Sequence, residues 1–350
     1  MVHFLHRFFL EKSIPATDDV RRNPSSPPRS KRIGQREEDS AMTTDHAPIV
    51  GALWATLAAV CFSAVDVIIK FLSGSYPLYQ ITFLRTLVAL LVILFLIVPL
   101  TGSYSDLRTR HPKIQLVRGA LVVTANFLFF LGLAVLPLAE AVAIFFVSPL
   151  LIAIFSIVFL GDTVGPRRWT AIAIGLTGVL IVLRPGTSAF QMAALLPIGA
   201  AACYGMLHIL TRRIGTGDSA TALVFYAQLV MLAVSCVLGL ALGHGAFDQF
   251  EHPSAAFLLR AWSWPSTFDA ALIVLLGITI AIGGFAISAA YQRSAPAFIA
   301  PFEYAAMPFA VFWGITVFSE YPDIAALTGI VLIIGSGLFL IWREARASKH

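Results

Sequence analysis

The sequence predicts an all-α integral membrane protein with ten transmembrane helices, arranged as two inverted repeats of five helices each. Composition is the first reason: 58% of the 350 residues are hydrophobic and 12% are charged, whereas a soluble domain is about 45–50% apolar and about 25% charged. The second reason is a series of apolar stretches of roughly 20 residues, the length that crosses a bilayer as a helix. The third is an internal repeat. Lipid is therefore the predicted solvent for most of the chain.

Ten apolar stretches fill the chain between Ile49 and Arg343. Most connections between them are short, apart from residues 244–267, so we expect consecutive helices to pack as antiparallel neighbours. No segment remains that could hold a soluble catalytic domain. The predicted spans are 49–72, 77–100, 115–136, 138–160, 167–184, 191–213, 220–243, 268–292, 296–318 and 323–342.

The two ends of the chain are predicted to be polar tails. Residues 1–48 include a stretch rich in Pro, Ser and Arg that cannot bury a core. They are either a disordered basic cytoplasmic tail or upstream sequence joined to a chain that truly starts at Met42. Residues 344–350 form a short second tail. Lys and Arg concentrate in the loops on one side, and such loops stay in the cytoplasm, so both termini are expected there.

The internal repeat relates the first span to the sixth, and the fourth and fifth to the ninth and tenth. Because five is odd, two such copies enter the membrane from opposite sides. Inverted repeats of this kind place a substrate site near the midplane, where the copies meet. A duplication kept for packing alone is the alternative. The predicted repeats are residues 49–184 and 191–343. The matching segments are Ala58 to Lys70 with Ala200 to Arg212, Gly161-Asp162 with Ser319-Glu320, and Gly178 to Arg184 with Gly337 to Arg343.

Several of these residues also resemble a known family. The acids that end the fourth and ninth spans, the Gly-rich spans that follow them, and Ser294 to Ala297 are similar to the EamA-type family of the drug/metabolite transporter superfamily. The resemblance covers residues 49–343. It implies secondary transport of small metabolites across a bacterial inner (plasma) membrane. Within the family, the chain is similar to bacterial members assigned to S-adenosylmethionine or riboflavin uptake. The residues that carry this last likeness are Asp66, Lys70, Gln80, Arg85 and Ala300 to Tyr304.

Charged residues within the spans are candidate functional groups, because a charge deep in hydrocarbon costs at least about 2.5–3.5 kcal/mol. Asp66 and Lys70 lie on one face of the first span, and Arg85 lies at a similar depth on the second. We expect these three to form an outer charge cluster that meets the charges of a substrate or passes a proton. An ion pair of Asp66 with Arg85 that serves only structure is the alternative.

Glu303 lies roughly 10 Å into the ninth span, and its own helix offers no cation three or four residues away. It is therefore the predicted proton-coupling or substrate-cation site, the alternative being a hydrogen-bonded structural acid. Glu140, in the first turn of the fourth span, is read as an acid favoured by the helix dipole. His208 takes the repeat position of Asp66, as an inner-gate residue or an idle interfacial histidine.

Neutral polar groups and two prolines complete the candidate site. Asn126, Tyr204 and Tyr304 are expected to line the cavity, although polar groups in spans also bond across helices for packing alone. Pro149 and Pro308 fall near the middle of the fourth and ninth spans. Proline breaks a helix there, and paired breaks in corresponding helices point towards a binding site. A kink that improves packing only is the alternative.

These features predict a secondary transporter that moves a small polar metabolite, amino-acid-, nucleoside- or cofactor-like, by alternating access, coupled to a proton or substrate gradient. No sequence motif of an enzyme or a metal site is present, so no cofactor and no nucleic-acid partner are expected. The expected partners are a small-molecule substrate and membrane lipid, and a homodimer is left open. An intramembrane enzyme acting on a lipid-linked substrate is the competing class, but it would need acids and histidines clustered at one interface.

Overall fold

Regular structure in the described part of the chain is entirely helical. The computed structural model describes residues 47–109, 111–161, 166–185, 191–214, 218–293 and 302–347. The predicted tail as far as residue 46, with Met42, lies outside these residues. Asp162 and residues 294–301 of the sequence motifs lie outside them as well.

Among the described residues, the first half of the chain contributes six helices and the second half six more of at least seven residues. The second of them continues through a π-helical turn at Ile93–Ile97 to Thr101. The fourth and fifth are separated by only two residues and together make up one apolar segment. The helices are α1 (Ala47–Leu72), α2 (Leu78–Val92), α3 (Pro112–Leu133), α4 (Leu138–Phe145), α5 (Ser148–Leu160) and α6 (Pro166–Leu183).

The second half contributes the other six of these described helices. A 3₁₀ turn at Met192–Ala194 leads into the first of these, and a short helix lies in the long connection that the sequence predicts. The helices are α7 (Leu195–Ile214), α8 (Ala220–Leu242), α9 (Pro253–Leu259), α10 (Thr267–Arg293), α11 (Ala306–Phe318) and α12 (Ile324–Ala347).

Seven helical segments of the described residues are long and apolar enough to cross a membrane, and three apolar helices of 10–17 residues accompany them. The exposure of large apolar side chains supports the same conclusion: Leu240 is 80% exposed and Phe95 is 73% exposed. A soluble monomer rarely leaves a large contiguous apolar surface in contact with water. The chain is therefore a multi-pass membrane protein, as the composition predicts.

Local chemistry sets the helix ends. Proline occupies the first turn of α3, at Pro112, where the missing N–H has no helical acceptor in any case. Ser219 caps α8 by accepting a 3.0 Å hydrogen bond from the backbone N–H of Ala222. Gly161 and Ser319 end α5 and α11 in the left-handed conformation, with φ of 72° and 55°.

The helices pack in a recurring set of partners. In the first half, α1 packs against α10 and α11, and α2 against α8 and α10. In the second half, α7 packs against α3, α4 and α5, and α8 against α2 and α3. The helices α6 and α12 pack on each other so closely at Gly178 and Gly329 that a Cβ on either would lie 2.8 Å or 2.7 Å from the other's carbonyl oxygen. Small residues allow this approach.

The connection 244–267 folds back onto the ends of α2 and α3. Phe257 of α9 is 1% exposed, and Ser254 donates a 2.7 Å hydrogen bond to the Leu131 carbonyl. The Tyr79 hydroxyl donates to the Arg260 carbonyl at 2.8 Å. The segment therefore covers this end of the bundle, which also carries Lys70 and is called the Lys70 end below.

Candidate functional site

Asp66, Arg85 and Asn126 lie at one depth inside the bundle. They are six residues before α1 ends, seven after α2 begins and seven before α3 ends. At a rise of 1.5 Å per residue, each is about 10 Å below the Lys70 end. Because α3 packs against both α1 and α2, the three side chains form one polar level in an otherwise apolar region.

Arg85 is the largest fully buried side chain of this level, with 1% of its surface exposed. Its Nη2 donates a 3.1 Å hydrogen bond to Oδ1 of Asn126, whose own Nδ2 donates to the Val122 carbonyl at 3.0 Å. The guanidinium carbon lies 5.5 Å from the centre of the Phe130 ring, a cation–π distance. Nε and Nη1 have no hydrogen-bond partner in the part of the chain that the structure describes. Three charged N–H donors are thus held in place without an acceptor.

Asp66 is half-buried and faces this level from α1. Its charge and that of Arg85 act on each other, but the two side chains form no ion pair within the described residues. The structural ion pair that the sequence leaves open between them is therefore not formed. Ser63, one turn earlier on the same helical face, has a buried hydroxyl that also lacks a hydrogen-bond partner.

Lys70 takes part in a separate interaction at the end of the bundle. Its Nζ lies 2.6 Å from Oε1 of Glu320 and donates to the Leu136 carbonyl at 2.6 Å. The other carboxylate oxygen of Glu320 accepts a 2.8 Å hydrogen bond from the backbone N–H of Leu138. The Phe318 ring lies 5.1 Å below the ammonium group. This arrangement ties the end of α1 to the start of α4 and to the segment after α11.

The structure therefore divides the expected outer cluster of Asp66, Lys70 and Arg85 into two parts. Lys70 joins the end of the bundle, where Glu140 in the first turn of α4 also acts on it electrostatically. Asp66 and Arg85 remain deeper. Spacing along one helix places Asp66 and Lys70 on the same face, but it cannot reveal a partner such as Glu320, which lies 250 residues further along the chain.

A second ion pair lies beside the first, just beyond the apolar parts of α6 and α12. Arg184 donates a hydrogen bond to Asp323, which also accepts a 2.8 Å hydrogen bond from the Ala326 backbone N–H. These bonds hold the pKa of Asp323 below its ordinary value, and the Asp323 carboxylate raises the pKa of Arg184. This pair fastens the ends of α6 and α12 together.

Two helix interruptions meet in the middle of the bundle. The helix stops after Phe145 and resumes at Ser148, directly before Pro149. On the other side, residues 302–303 are helical, Tyr304 and Ala305 form a turn, and α11 begins just before Pro308. The rings of Phe146 and Tyr304 stack across the two interruptions with their centres 4.8 Å apart.

Aromatic rings extend from this stack in two directions. Phe145 contacts Tyr204 with ring centres 5.4 Å apart, and Tyr204 contacts His208 at 4.5 Å. Towards the polar level, Phe145 contacts Phe129 at 5.2 Å, and Phe129 contacts Phe130 at 5.3 Å. A continuous series of aromatic contacts thus runs from the Arg85 guanidinium to the Phe146–Tyr304 stack.

Glu303 lies at the interruption and is half-buried. Its carboxylate acts electrostatically on the hydroxyls of Tyr204 and Tyr304. The Tyr304 hydroxyl is buried without a hydrogen-bond partner among the residues with described placement, and an added Cβ on Gly337 would lie 1.8 Å from it. Two tyrosines that the sequence singles out, Tyr204 and Tyr304, are therefore close enough to Glu303 to feel its charge.

The opposite end of the bundle has a polar network that the sequence analysis missed. Arg118 donates to the Thr211 hydroxyl at 3.0 Å and to Gln115 Oε1 at 2.9 Å. The Gln115 amide in turn donates to Asp218 at 2.5 Å. The Arg118 charge also acts on His208. A cation inside the third apolar stretch was the available signal for this network, which is called the Arg118 end below.

Comparison with known proteins identifies a matching family. Residues 49–184 match the EamA-like transporter family. The resemblance noted in the sequence is confirmed.

Curated relatives are similar over most of the chain. An S-adenosylmethionine uptake transporter of Rickettsia bellii is 27% identical over 85% of this chain and 95% of its own. A riboflavin transporter of Rhizobium johnstonii is 28% identical over 86% of this chain and 94% of its own. A pseudopaline exporter of Pseudomonas aeruginosa is 25% identical over 81% and 93%. The chain is thus related along its length to bacterial small-metabolite transporters.

A solved crystal structure has the same fold. It is 20% identical, covers 88% of this chain and 99% of its own, and superimposes with a TM-score of 0.57. At this level of identity the likeness concerns the fold alone.

Proposed function

We propose that this protein is a secondary transporter that moves a small polar metabolite across a bacterial inner membrane by alternating access. The observation that carries the proposal is the polar level of Asp66, Arg85 and Asn126, buried about 10 Å inside an apolar bundle. Charges at such a depth are costly and usually mark a substrate or ion pathway. The relatives named as transporters of S-adenosylmethionine and riboflavin support the same class of function.

The proposed architecture is ten spans in two inverted halves, residues 49–184 and 191–343. The packing partners support it, because exchanging the halves maps one set of contacts onto the other. The pair α1 with α10 becomes α7 with α3, and α1 with α11 becomes α7 with α4 and α5. The pairs α6 with α12 and α2 with α8 map onto themselves. A pseudo-two-fold axis in the membrane plane produces this pattern.

Backbone details support the same exchange. Gly161 and Ser319, both left-handed helix ends, have the same sequence offset as Phe146 and Tyr304, which stack on each other. A residue pair that lies on a pseudo-two-fold axis contacts its own counterpart, as these two rings do. The stack therefore marks the proposed axis and, with it, the midplane site.

Alternating access requires a contact at each end that can form and break. The Lys70–Glu320 ion pair is suited to closing one end, because it joins α1 of the first half to α11 of the second. The network of Arg118, Thr211 and Asp218 joins α3 to α7 and to the start of α8 at the other end. Lys and Arg are enriched at the Arg118 end, so we assign that end and both termini to the cytoplasm.

Glu303 is the proposed coupling group. It lies at the interruption before α11, next to two tyrosine hydroxyls, where a proton or a substrate cation can reach it from the midplane. When Glu303 gains or loses a proton, its charge changes. The equilibrium then shifts towards the arrangement of the helices that solvates the new charge state better.

Uptake by purified protein in sealed proteoliposomes tests this function. Radiolabelled S-adenosylmethionine and riboflavin are supplied with and without an inward proton gradient. We expect saturable uptake of at least one solute by the wild type, and loss of uptake or of its pH dependence in Glu303→Gln. Glu251→Gln, an exposed acid of the connection 244–267, is the matched control and should behave as the wild type.

Two results would count against the proposal. If well-inserted wild-type protein takes up neither solute, the result contradicts the transport of these metabolites. Wild-type uptake with an unchanged pH profile in Glu303→Gln contradicts the coupling role alone. Equal yields and equal elution volumes of the variants establish that the substitution leaves membrane insertion intact.

A further inference from the structure

We propose that Arg85 and Asp66 form a receptor for the head group of an α-amino acid, with the carboxylate bound by Arg85 and the ammonium group by Asp66. The inference rests on the proposed transport function and names the substrate class of that site. The solute is then a zwitterion at one end, with an apolar or flat group at the other.

The first step is the state of the Arg85 donors. A guanidinium has five N–H groups in a planar fork that suits a carboxylate. Asn126 accepts from Nη2 only, which leaves the fully buried N–H groups of Nε and Nη1 without an acceptor among the described residues. A buried charged donor without a partner is strongly unfavourable. An anionic oxygen that binds there would relieve this cost, which makes the position a carboxylate site.

The second step is that the guanidinium is held in a fixed orientation. Asn126 is itself oriented, because its Nδ2 is bonded to the Val122 carbonyl and its oxygen therefore faces Arg85. Phe130 covers one face of the guanidinium. A structural counterion would normally be expected to occupy the remaining donors, yet Asp66 does not. The fork is thus positioned in advance for a ligand.

The third step is the position of Asp66. Opposite buried charges usually pair directly, but here the two groups share one depth and feel each other's charge without forming an ion pair within the described residues. Asp66 is half-buried, and the nearby Ser63 hydroxyl is buried without a hydrogen-bond partner among the described residues. An α-amino acid carries its opposite charges on one carbon and can bind both groups at once.

The fourth step concerns the rest of the solute. From Arg85, the aromatic contacts of Phe130, Phe129 and Phe145 lead to Tyr204. Aromatic walls bind apolar and flat groups well. S-adenosylmethionine has an α-amino acid head group and a flat base, whereas riboflavin has a flat ring system and no such head group. The site thus favours the first kind of solute.

Binding of matched probes to the full-length protein tests the inference. The probes are S-adenosylmethionine, riboflavin, L-phenylalanine, phenethylamine, which lacks the carboxylate, and 3-phenylpropionate, which lacks the amine. Equilibrium binding is measured for the wild type, Arg85→Gln and Asp66→Asn. Arg260→Gln, an arginine of the connection 244–267 that donates to the Ser73 carbonyl, is the control and should bind as the wild type.

We expect the wild type to bind L-phenylalanine or S-adenosylmethionine, and to prefer L-phenylalanine over each truncated probe about tenfold or more, as charge-assisted hydrogen bonds give. In Arg85→Gln the preference over phenethylamine should fall to about one, because no guanidinium remains to distinguish the carboxylate. In Asp66→Asn the preference over 3-phenylpropionate should disappear in the same way. These ratios report recognition and are independent of the folded fraction.

Other outcomes overturn the inference. Wild-type binding of riboflavin alone, or of none of the probes, excludes a head-group receptor. An equal loss of affinity for all probes in Arg85→Gln would show that Arg85 only supports the structure. Saturable riboflavin uptake in proteoliposomes that is unaffected by Arg85→Gln would leave the transport function standing while this inference fails.

Discussion

Breaking the Lys70–Glu320 ion pair should open the Lys70 end of the bundle. The two charges are 2.6 Å apart, with 11% and 26% of their side chains exposed. At an effective dielectric constant of about 20, their gross attraction is about 6 kcal/mol, and desolvation offsets much of it. Removing one partner of a fully buried pair costs about 3–5 kcal/mol. With this exposure we expect about 2–3 kcal/mol, which raises the open population by roughly 30-fold or more.

The assay is the labelling rate of a Ser63→Cys probe by a membrane-impermeant thiol reagent, in a background without the three native cysteines. Ser63 is 3% exposed and lies below the ion pair, so its labelling requires the Lys70 end to open. Lys70→Met and Glu320→Gln should each raise the rate at least tenfold. The double variant should raise it by less than the product of the two effects, because the second substitution removes a charge already left unpaired. Unchanged rates, or effects that simply multiply, would refute the reasoning.

Further predictions concern the contact of α6 with α12. Gly178→Ala and Gly329→Ala place a Cβ against a backbone carbonyl oxygen, so each should destabilise the protein by about 1–3 kcal/mol in a denaturant titration. Gly335→Ala, where nothing lies within 4 Å of the added Cβ, should have no such cost. For the Arg184–Asp323 pair, a lowered pKa means that the ionised acid stabilises the fold above its unfolded pKa of about 3.9, and that this contribution disappears as pH falls through the folded pKa. The Tm difference between wild type and Asp323→Asn should therefore be present at pH 6 and should shrink as pH falls below about 3.9.

Two outcomes would contradict these predictions, one for the glycine variants and one for the Asp323 variant. Equal stability of the Gly178→Ala and Gly335→Ala variants would mean that α6 and α12 separate without cost. A Tm difference for Asp323→Asn that grows as pH falls below about 3.9 would have the wrong sign for a carboxylate whose pKa is lowered.

The helices of this protein follow from the sequence because their length and apolarity are local properties. Pro112 and Ser219 mark helix starts by local hydrogen bonding, and such signals are readable in one dimension. Asp66, Arg85, Asn126 and the acid at Glu303 are individually recognisable, since charged and amide groups are rare in apolar stretches.

Their pairing is a different matter. Whether Arg85 meets Asp66 or Asn126 depends on how α1, α2 and α3 are rotated about their own axes, and a few tens of degrees decide it. Lys70 and Glu320 come together only through the tertiary packing of α1, α4 and α11. Repeat matching identified Glu320 as a span-end acid but could not assign its partner.

Counterflow in sealed proteoliposomes tests the central claim of alternating access most directly. Vesicles are preloaded with unlabelled S-adenosylmethionine or riboflavin, and a trace of the same labelled solute is added outside. In an alternating-access carrier, the unlabelled solute inside occupies the site on the inner side and competes with the labelled solute for exit. The labelled solute that enters should therefore accumulate inside transiently, above its equilibrium level. Entry that only approaches equilibrium, with no overshoot at any preloading concentration, would contradict the account.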